Sequence, residues 1–303
     1  MQNNFFPITF SIPESKIISI ESFKNINKKK LLSNLIPGRT ETYIYNTEDA
    51  YYNEYRESIF AVTTKKGGWD CMRHYEIIAN GCIPYFPNIE NCPENTMVLF
   101  PKKIIIESNK LFEKITNNKI ITDDDINNIK RIIIELLQFM KENLTCRKIA
   151  EYILKKTNNN SDIKILYLSG HMDPDYLRCL TLIGFKEIMG KNCHDFPKVS
   201  HLYKNQNIDY SKLYGRGFSY SNILENYLHE DALDESIEKD IIDKKYDIVI
   251  FGSYHRGIPY YDLVSSIYDS NKIILLCGEE NHNCEYHKFS NNRNFVFVRE
   301  PTK

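Results

Sequence analysis

The sequence predicts an α/β protein whose mostly parallel sheets are covered by helices. The main observation is that the second half alternates short continuous apolar runs with longer helical patterns, which is typical of a parallel sheet buried on both faces. A second observation is the length of 303 residues, enough for two domains of ordinary size. A third is the polar stretch 155–162, which separates two patterned halves. We therefore predict domains at 1–158 and 159–303.

The elements of the first half follow from helix caps and apolar spacing. Thr47 and Thr122 are predicted N-caps, because a hydroxyl can accept a free N–H of the first helical turn. Gly81 is predicted to end a helix in the left-handed conformation. In chain order we predict a helix over 47–57, a strand over 59–63, a helix over 70–80, strands over 82–86, 97–101 and 103–107, and a helix over 122–145.

The second half is more regular. Strands are predicted at 163–170, 246–253, 272–279 and 294–300, and helices at 174–190 and 260–269. In parallel sheets ligands bind beyond the carboxyl ends of the strands. The segments that follow these strands are therefore the first places to look for a site.

The composition narrows the class of partner. The net charge is −1, from 39 basic and 40 acidic residues, and this balance argues against nucleic acid as a partner. No apolar run reaches the roughly 20 residues that span a bilayer, and the first residues do not resemble a signal peptide. We expect a cytoplasmic protein whose eight cysteines, without a CxxC pair, are reduced and mostly buried. The sequence leaves the oligomeric state open.

The stretch 65–86 carries the densest group of chemically distinctive residues. Asp70 is a predicted cap for the helix over 70–80, on which Arg73 and Glu76 share one stripe. Two lysines and two glycines precede the helix start, and this combination suits a nucleotide diphosphate. The alternative is a helical ion pair between Arg73 and Glu76, worth about 0.2–0.5 kcal/mol. The candidate ligand-binding residues are Lys65, Lys66, Gly67, Gly68, Trp69, Arg73, His74 and Glu76.

Arg73-x-x-Glu76, followed by Gly81-Cys82-Ile83-Pro84, resembles the nucleotide-sugar motif of exostosin-like and related glycosyltransferases of GT-B architecture. The whole stretch 65–86 is similar to the donor lobe of glycosyltransferase-like proteins of large DNA viruses and some bacteria. The second half resembles the same group through 173–190, 213–222, 251–264 and 275–284. The resemblance thus covers most of the chain.

The resemblance implies a GT-B-like fold, in which two Rossmann-like lobes face a cleft. Residues 1–158 would form the donor lobe and 159–303 the acceptor lobe, a permuted order relative to the family. In relatives, a segment like 294–300 runs directly into one like 3–13. The partners implied are a nucleotide sugar and a glycan acceptor, with no cofactor and no metal. Arg73 would contact the diphosphate and Glu76 the ribose.

The loops after the strands of the second half supply candidate catalytic groups. In inverting enzymes of this architecture, a base on the acceptor lobe takes the acceptor proton. Asp173 is the first candidate, whereas Asp175 is equally suited to be an acid at a helix N-terminus. His255 is the second catalytic candidate. The further candidates for contact with acceptor or phosphate are Tyr254, Arg256, Glu279 and Arg216.

These loops can also be interpreted without a catalytic or metal-binding role. His255 and Arg256 could brace backbone carbonyls only. His282, Cys284 and His287 resemble zinc ligands by type, but no second half-site accompanies them, so we predict no metal.

Two other functions compete with glycosyl transfer. One is a catalytically inactive GT-B-like binding subunit of a glycan-assembly complex. The other is a phosphotransferase that uses the Lys-Lys-Gly-Gly turn, which the absence of a GxxxxGK[ST] run argues against.

Overall fold

The computed structural model describes residues 4–171, 174–280, 289 and 292–301. Its strands are β1 Phe5–Pro7, β2 Lys30–Leu32, β3 Ser58–Val62, β4 Ile83–Tyr85, β5 Ile165–Leu168, β6 Cys193–Phe196, β7 Ile248–Phe251, β8 Ile273–Cys277 and β9 Phe295–Val298. Its α-helices are α1 Ile20–Lys24, α2 Glu48–Arg56, α3 Met72–Ala79, α4 Lys102–Asn118, α5 Asp123–Asn143, α6 Cys146–Lys156, α7 Tyr176–Met189, α8 Ile237–Ile242 and α9 Tyr261–Ile267. Short 3-10 turns connect several of them.

The larger sheet has six parallel strands in the order β1-β9-β8-β7-β5-β6. All residues of β5, β7, β8 and β9 are buried, which explains their continuous apolar sequences. The chain moves outward from β5 to β6 and then returns to the other side of β5 to form β7. Such a reversal of strand order is where ligands bind in doubly wound sheets, so the loops after β5 and β7 are favoured positions for a site.

The smaller sheet has three parallel strands, β2-β3-β4. Helices α2 and α3 make its crossovers, and the predicted N-caps at Thr47 and Thr122 are confirmed. Thr47 Oγ1 accepts the N–H of Ala50 at 3.3 Å, and Thr122 forms a reciprocal capping box with Asp125. Gly81 has φ +64°, as predicted for the residue that ends α3. The α/β prediction with parallel sheets is therefore confirmed.

Several predictions of the sequence are wrong. Residues 97–101 contain no strand, and 103–107 lie inside α4. The three isoleucines at 104–106 favour a strand locally, but Ile105, Phe112 and Ile115 make one buried helical stripe. Strand β6 and helix α8 were not predicted, because β6 is a short polar edge strand and α8 is a short acidic helix.

Two elements that precede residue 158 associate with the larger sheet and its helices. Strand β1 pairs with β9, and α6 packs on α7, where a Cβ on Gly184 would lie 2.1 Å from Cys146 O. The segment after α6, at the predicted boundary, carries no helix or strand before β5. The first and last strands of the chain, β1 and β9, therefore lie side by side in the larger sheet.

Six cysteines are free and buried, as expected, namely Cys71, Cys82, Cys92, Cys146, Cys179 and Cys193. Cys277 departs from the expectation because it is disulfide-bonded. Within the described ranges, none of the helices has the length and apolar character that crossing a membrane requires.

Candidate active-site cleft

A cleft of about 780 Å³ opens where the two sheets meet, a size typical of small-molecule pockets, about 300–1,000 Å³. One wall comes from α3 and the tyrosine-rich segment that precedes it. The other wall comes from the loop that enters α7, the loops after β7 and β8, and the end of β9. The cleft thus includes loops on both sides of the strand reversal between β5 and β7.

The wall formed by the larger sheet carries a buried carboxylate–imidazole pair. Asp175 is the N-cap of α7 and accepts the N–H of Arg178 at 2.9 Å. Its Oδ2 lies 3.2 Å from Nε2 of His255 and accepts the Ser253 hydroxyl at 2.7 Å. Burial alone would raise the pKa of Asp175, but His255 and the N–H and charge of Arg178 together hold it well below its usual range. Asp175 is therefore both a helix cap and the anion that orients His255.

One ring nitrogen of His255, Nδ1, is available to accept a hydrogen bond. Because Nε2 faces the Asp175 carboxylate, the neutral ring carries its proton on Nε2 and leaves Nδ1 as an acceptor. Nδ1 has no hydrogen-bond partner among the described residues and is shielded from solvent. Arg256 Nε lies 3.4 Å from the same carboxylate. His255 and Arg256 therefore both contact a carboxylate, so their role is not limited to contacts with backbone carbonyls.

The wall formed by α3 carries the guanidinium of Arg73, which forms no salt bridge among the described residues. Nε and Nη1 of Arg73 are shielded from solvent and lack a hydrogen-bond partner among the described residues. The guanidinium lies 5.3 Å from the ring of Tyr43. The helical ion pair with Glu76 is not formed, because the Glu76 oxygens accept hydrogen bonds from hydroxyl groups instead. A cation with unsatisfied N–H donors on a cleft wall favours an anionic ligand.

Glu76 holds a loop of the second half against α2 and α3. Its Oε2 accepts Tyr51 Oη at 2.8 Å, and its Oε1 accepts Ser219 Oγ at 2.5 Å. Ser219 also bonds Tyr52 Oη at 2.6 Å, and its N–H bonds Glu48. Burial raises the pKa of Glu76. This network places the 214–218 segment over the cleft, whose lining includes Tyr214, Gly215, Arg216 and Phe218.

The glycine turn before α3 faces carboxylates rather than an open ligand site. A Cβ on Gly67 would lie 2.4 Å from Glu280 Oε2, and one on Gly68 would lie 2.4 Å from Glu300 Oε1. Glu300 also accepts the N–H of Asp70 at 2.8 Å. Burial raises the pKa of Glu300 to about 7. The two glycines therefore permit close packing against the C-terminal segment, and negative groups beside them disfavour a phosphate there.

Asp70 does not cap α3 as predicted. Helix α3 begins at Met72, and its cap residue Cys71 makes no side-chain cap. The Asp70 carboxylate instead accepts the N–H of Phe10 at 2.7 Å and Tyr75 Oη at 2.8 Å. Burial raises its pKa. Asp70 thus joins the N-terminal segment to α3.

The structure brings half of the predicted site residues together. Those that line the cleft are Lys66, Arg73, Glu76, Arg216, His255, Arg256 and Glu279. Those outside its lining are Lys65, Gly67, Gly68, Trp69, His74 and Tyr254. Asp173 lies outside the described residues, as do His282, Cys284 and His287.

The residues outside the lining have packing roles. His74 is fully buried, bonding Thr63 Oγ1 and Trp69 O at 2.8 Å each, and burial lowers its pKa to about 3. Lys65 Nζ lies over the Trp69 ring at 5.4 Å. Tyr254 is buried in a second core cluster, with its ring 5.1 Å from that of Phe289. A bound ligand in the cleft would not reach these side chains directly.

Sequence reasoning missed much of the aromatic lining. The missed residues are Phe10, Tyr43, Tyr45, Tyr51, Tyr176, Tyr214 and Phe218, together with Arg299. Arg299 is 1% exposed, donates to Gly278 O, and lies 4.4 Å from the ring of Phe10. The unusual density of tyrosines at 43–55 was a usable signal, and Arg299 lies at the carboxyl end of the strand predicted over 294–300.

Over the described part of the chain, a search for three clustered metal-ligating side chains finds none in the cleft lining. Comparison with known protein families, with curated proteins and with solved structures finds no match for this chain. Function therefore has to be argued from the cleft itself.

Proposed function

We propose that the protein is a glycosyltransferase that binds a nucleotide-sugar donor in the cleft, as the resemblance of 65–86 implies. The observation that carries the proposal is the pairing of two unsatisfied groups on the same cleft. Arg73 offers a cation with two unpartnered N–H groups, and His255 offers a ring nitrogen without a hydrogen-bond donor among the described residues. A donor diphosphate would satisfy the first and an acceptor hydroxyl the second.

The basic residues of the lining suit a leaving group that becomes more negative. In glycosyl transfer the acceptor oxygen bonds to the anomeric carbon, and the bond from that carbon to the phosphate oxygen breaks. The nucleoside diphosphate leaves with the electron pair. Arg73 and Lys66, both in the lining, would stabilise this charge as it develops. We extend the proposal to a GT-B-like arrangement of the two sheets.

His255 would take the proton of the acceptor hydroxyl on Nδ1. Asp175 fixes the ring through Nε2 and would stabilise the imidazolium that results. Since Nδ1 is shielded from solvent, an adjacent side chain has to shift before a hydroxyl can reach it. Asp173 remains the other predicted base.

The ribose role of Glu76 needs a conformational step. Both of its oxygens already accept hydroxyl groups, and the residue is 7% exposed. We propose that Glu76 contacts ribose only after the Ser219 loop has moved. The tyrosines of the lining supply ring faces on which a base or sugar can pack.

The test is a thermal-shift screen against UDP-, GDP-, dTDP- and CMP-sugars, followed by measurement of nucleotide release. We expect one base class to raise the unfolding midpoint and to release nucleotide with an oligosaccharide acceptor. His255→Gln should abolish release and preserve binding, whereas Asp173→Asn should do so only if Asp173 is the base. Binding without release by wild type would favour the inactive binding subunit. No stabilisation by any nucleotide sugar would contradict the proposal.

A further inference from the structure

A group of histidine and aspartate side chains lies outside the cleft lining. His194 is in the edge strand β6, while His229 and Asp234 come from the 3-10 turns that precede α8. One ligand atom from each of the three lies within 4.8 Å of the others. Both histidines are buried, at 2% and 6% exposure. The rings are stacked, with centroids 4.9 Å apart.

The carboxylate of Asp195 indicates which ring nitrogen of His229 carries the proton. Nδ1 of His229 lies 3.0 Å from Oδ1 of Asp195. That carboxylate also receives Lys186 at 2.9 Å and Tyr203 Oη at 2.6 Å. Nδ1 therefore carries a proton, and the lone pair of Nε2 points to the other side of the ring. A carboxylate that orients an imidazole in this way is the usual outer partner of a metal-bound histidine.

Acceptor atoms converge on the free side of the two rings. Nε2 of His229 lies 3.4 Å from Oδ2 of Asp234 and 3.5 Å from Oδ1 of Asp231. Nε2 of His194 lies 2.9 Å from Oδ1 of Asp234. Ligand atoms about 2.0–2.1 Å from a tetrahedral zinc ion are themselves about 3.3 Å apart. The 3.4 Å between Nε2 of His229 and Oδ2 of Asp234 matches this spacing.

We propose that His194, His229 and Asp234 bind one divalent transition-metal ion, Zn²⁺ by their ligand types, with Asp231 or water as the fourth ligand. Such an ion would join the edge strand β6 to the irregular segment before α8. The site is structural and does not depend on the proposed function of the cleft.

The experiment uses the tag-free full-length chain, stripped with EDTA and dialysed. Zn²⁺ is titrated in competition with a chromophoric chelator, and Co²⁺ substitution is followed by visible absorption. We compare Asp234→Asn with Glu235→Gln, an exposed neighbour that loses the same charge. A double variant, His282→Ala with His287→Ala, controls for binding by those residues.

We expect one Zn²⁺ per chain in wild type and in both controls. Loss of an outer partner alone typically lowers metal affinity about 10–100-fold, so Asp234→Asn should lower it at least about tenfold and abolish the Co²⁺ bands. Circular dichroism in EDTA should be the same for all chains, which separates metal loss from misfolding. Equal affinity in Asp234→Asn and Glu235→Gln would overturn the proposal, as would the absence of saturable binding by wild type.

Discussion

Replacement of Arg73 by Gln separates ligand binding from folding. Arg73 places its guanidinium on the cleft wall, where Nε and Nη1 lack partners among the described residues. A hydrogen bond to a charged group contributes about 1.5–3 kcal/mol. We therefore expect Arg73→Gln to lower the affinity for a nucleoside diphosphate by about 10²-fold, equivalent to about 2.7 kcal/mol.

Stability should respond differently. The substitution removes a poorly compensated cation, which is favourable, and a contact with the Tyr43 ring, worth about 0.5–2 kcal/mol. Because these effects oppose each other, we expect the unfolding free energy to stay within about 1 kcal/mol of wild type. The matched control is Arg56→Gln on α2, because Arg56 already bonds Asn80 at 3.0 Å and Asp49 at 2.9 Å.

The assay is isothermal titration calorimetry with UDP and with GDP, combined with urea denaturation of the ligand-free chains. Arg56→Gln should lose about 0.5–1.5 kcal/mol of stability and keep its affinity. Unchanged affinity in Arg73→Gln would refute the reasoning. Equal losses of affinity in both variants would also refute it, because they would show a general effect of charge.

Further predictions concern the two lysines, a buried histidine and the loop over the cleft. Lys66→Ala should weaken nucleotide binding in calorimetry, whereas Lys65→Ala should leave it unchanged, because only Lys66 lines the cleft; the reverse order would contradict this placement. Burial lowers the pKa of His74 to about 3 from an ordinary 6.5, so the unfolded chain binds more protons between these values, and stability falls as the pH falls through that window. His74→Phe should reduce this fall in urea denaturation at about pH 5 compared with about pH 7, and an unchanged fall would contradict it. Ser219→Ala removes a hydrogen bond to buried Glu76 and should cost about 1–3 kcal/mol of unfolding free energy; a loss below about 0.5 kcal/mol would show that the bond is weak.

The rule that ligands bind at the carboxyl ends of parallel strands explains what sequence reasoning predicted well. His255 and Arg256 follow one predicted strand and Glu279 ends another, and the topology of the sheet then brings them to one cleft. Local signals also predicted the caps at Thr47 and Thr122, because a cap depends on a few adjacent residues.

Long-range contacts explain most of what was not predicted. Nothing in the local pattern shows that Glu280 and Glu300 fill the space beside Gly67 and Gly68. The pairing of β1 with β9 joins segments at opposite ends of the chain, and periodicity carries no information about partners. The run at 103–107 was wrongly assigned because a short apolar run fits a strand as well as a buried helix.

The most direct test of the cleft as a donor site is a crystal structure with the nucleotide sugar that gives the largest thermal shift. We predict that the diphosphate lies against the Arg73 guanidinium and that the anomeric carbon faces the side of the cleft that carries His255. A donor bound outside the cleft, or one whose diphosphate lies away from Arg73, would contradict the assignment.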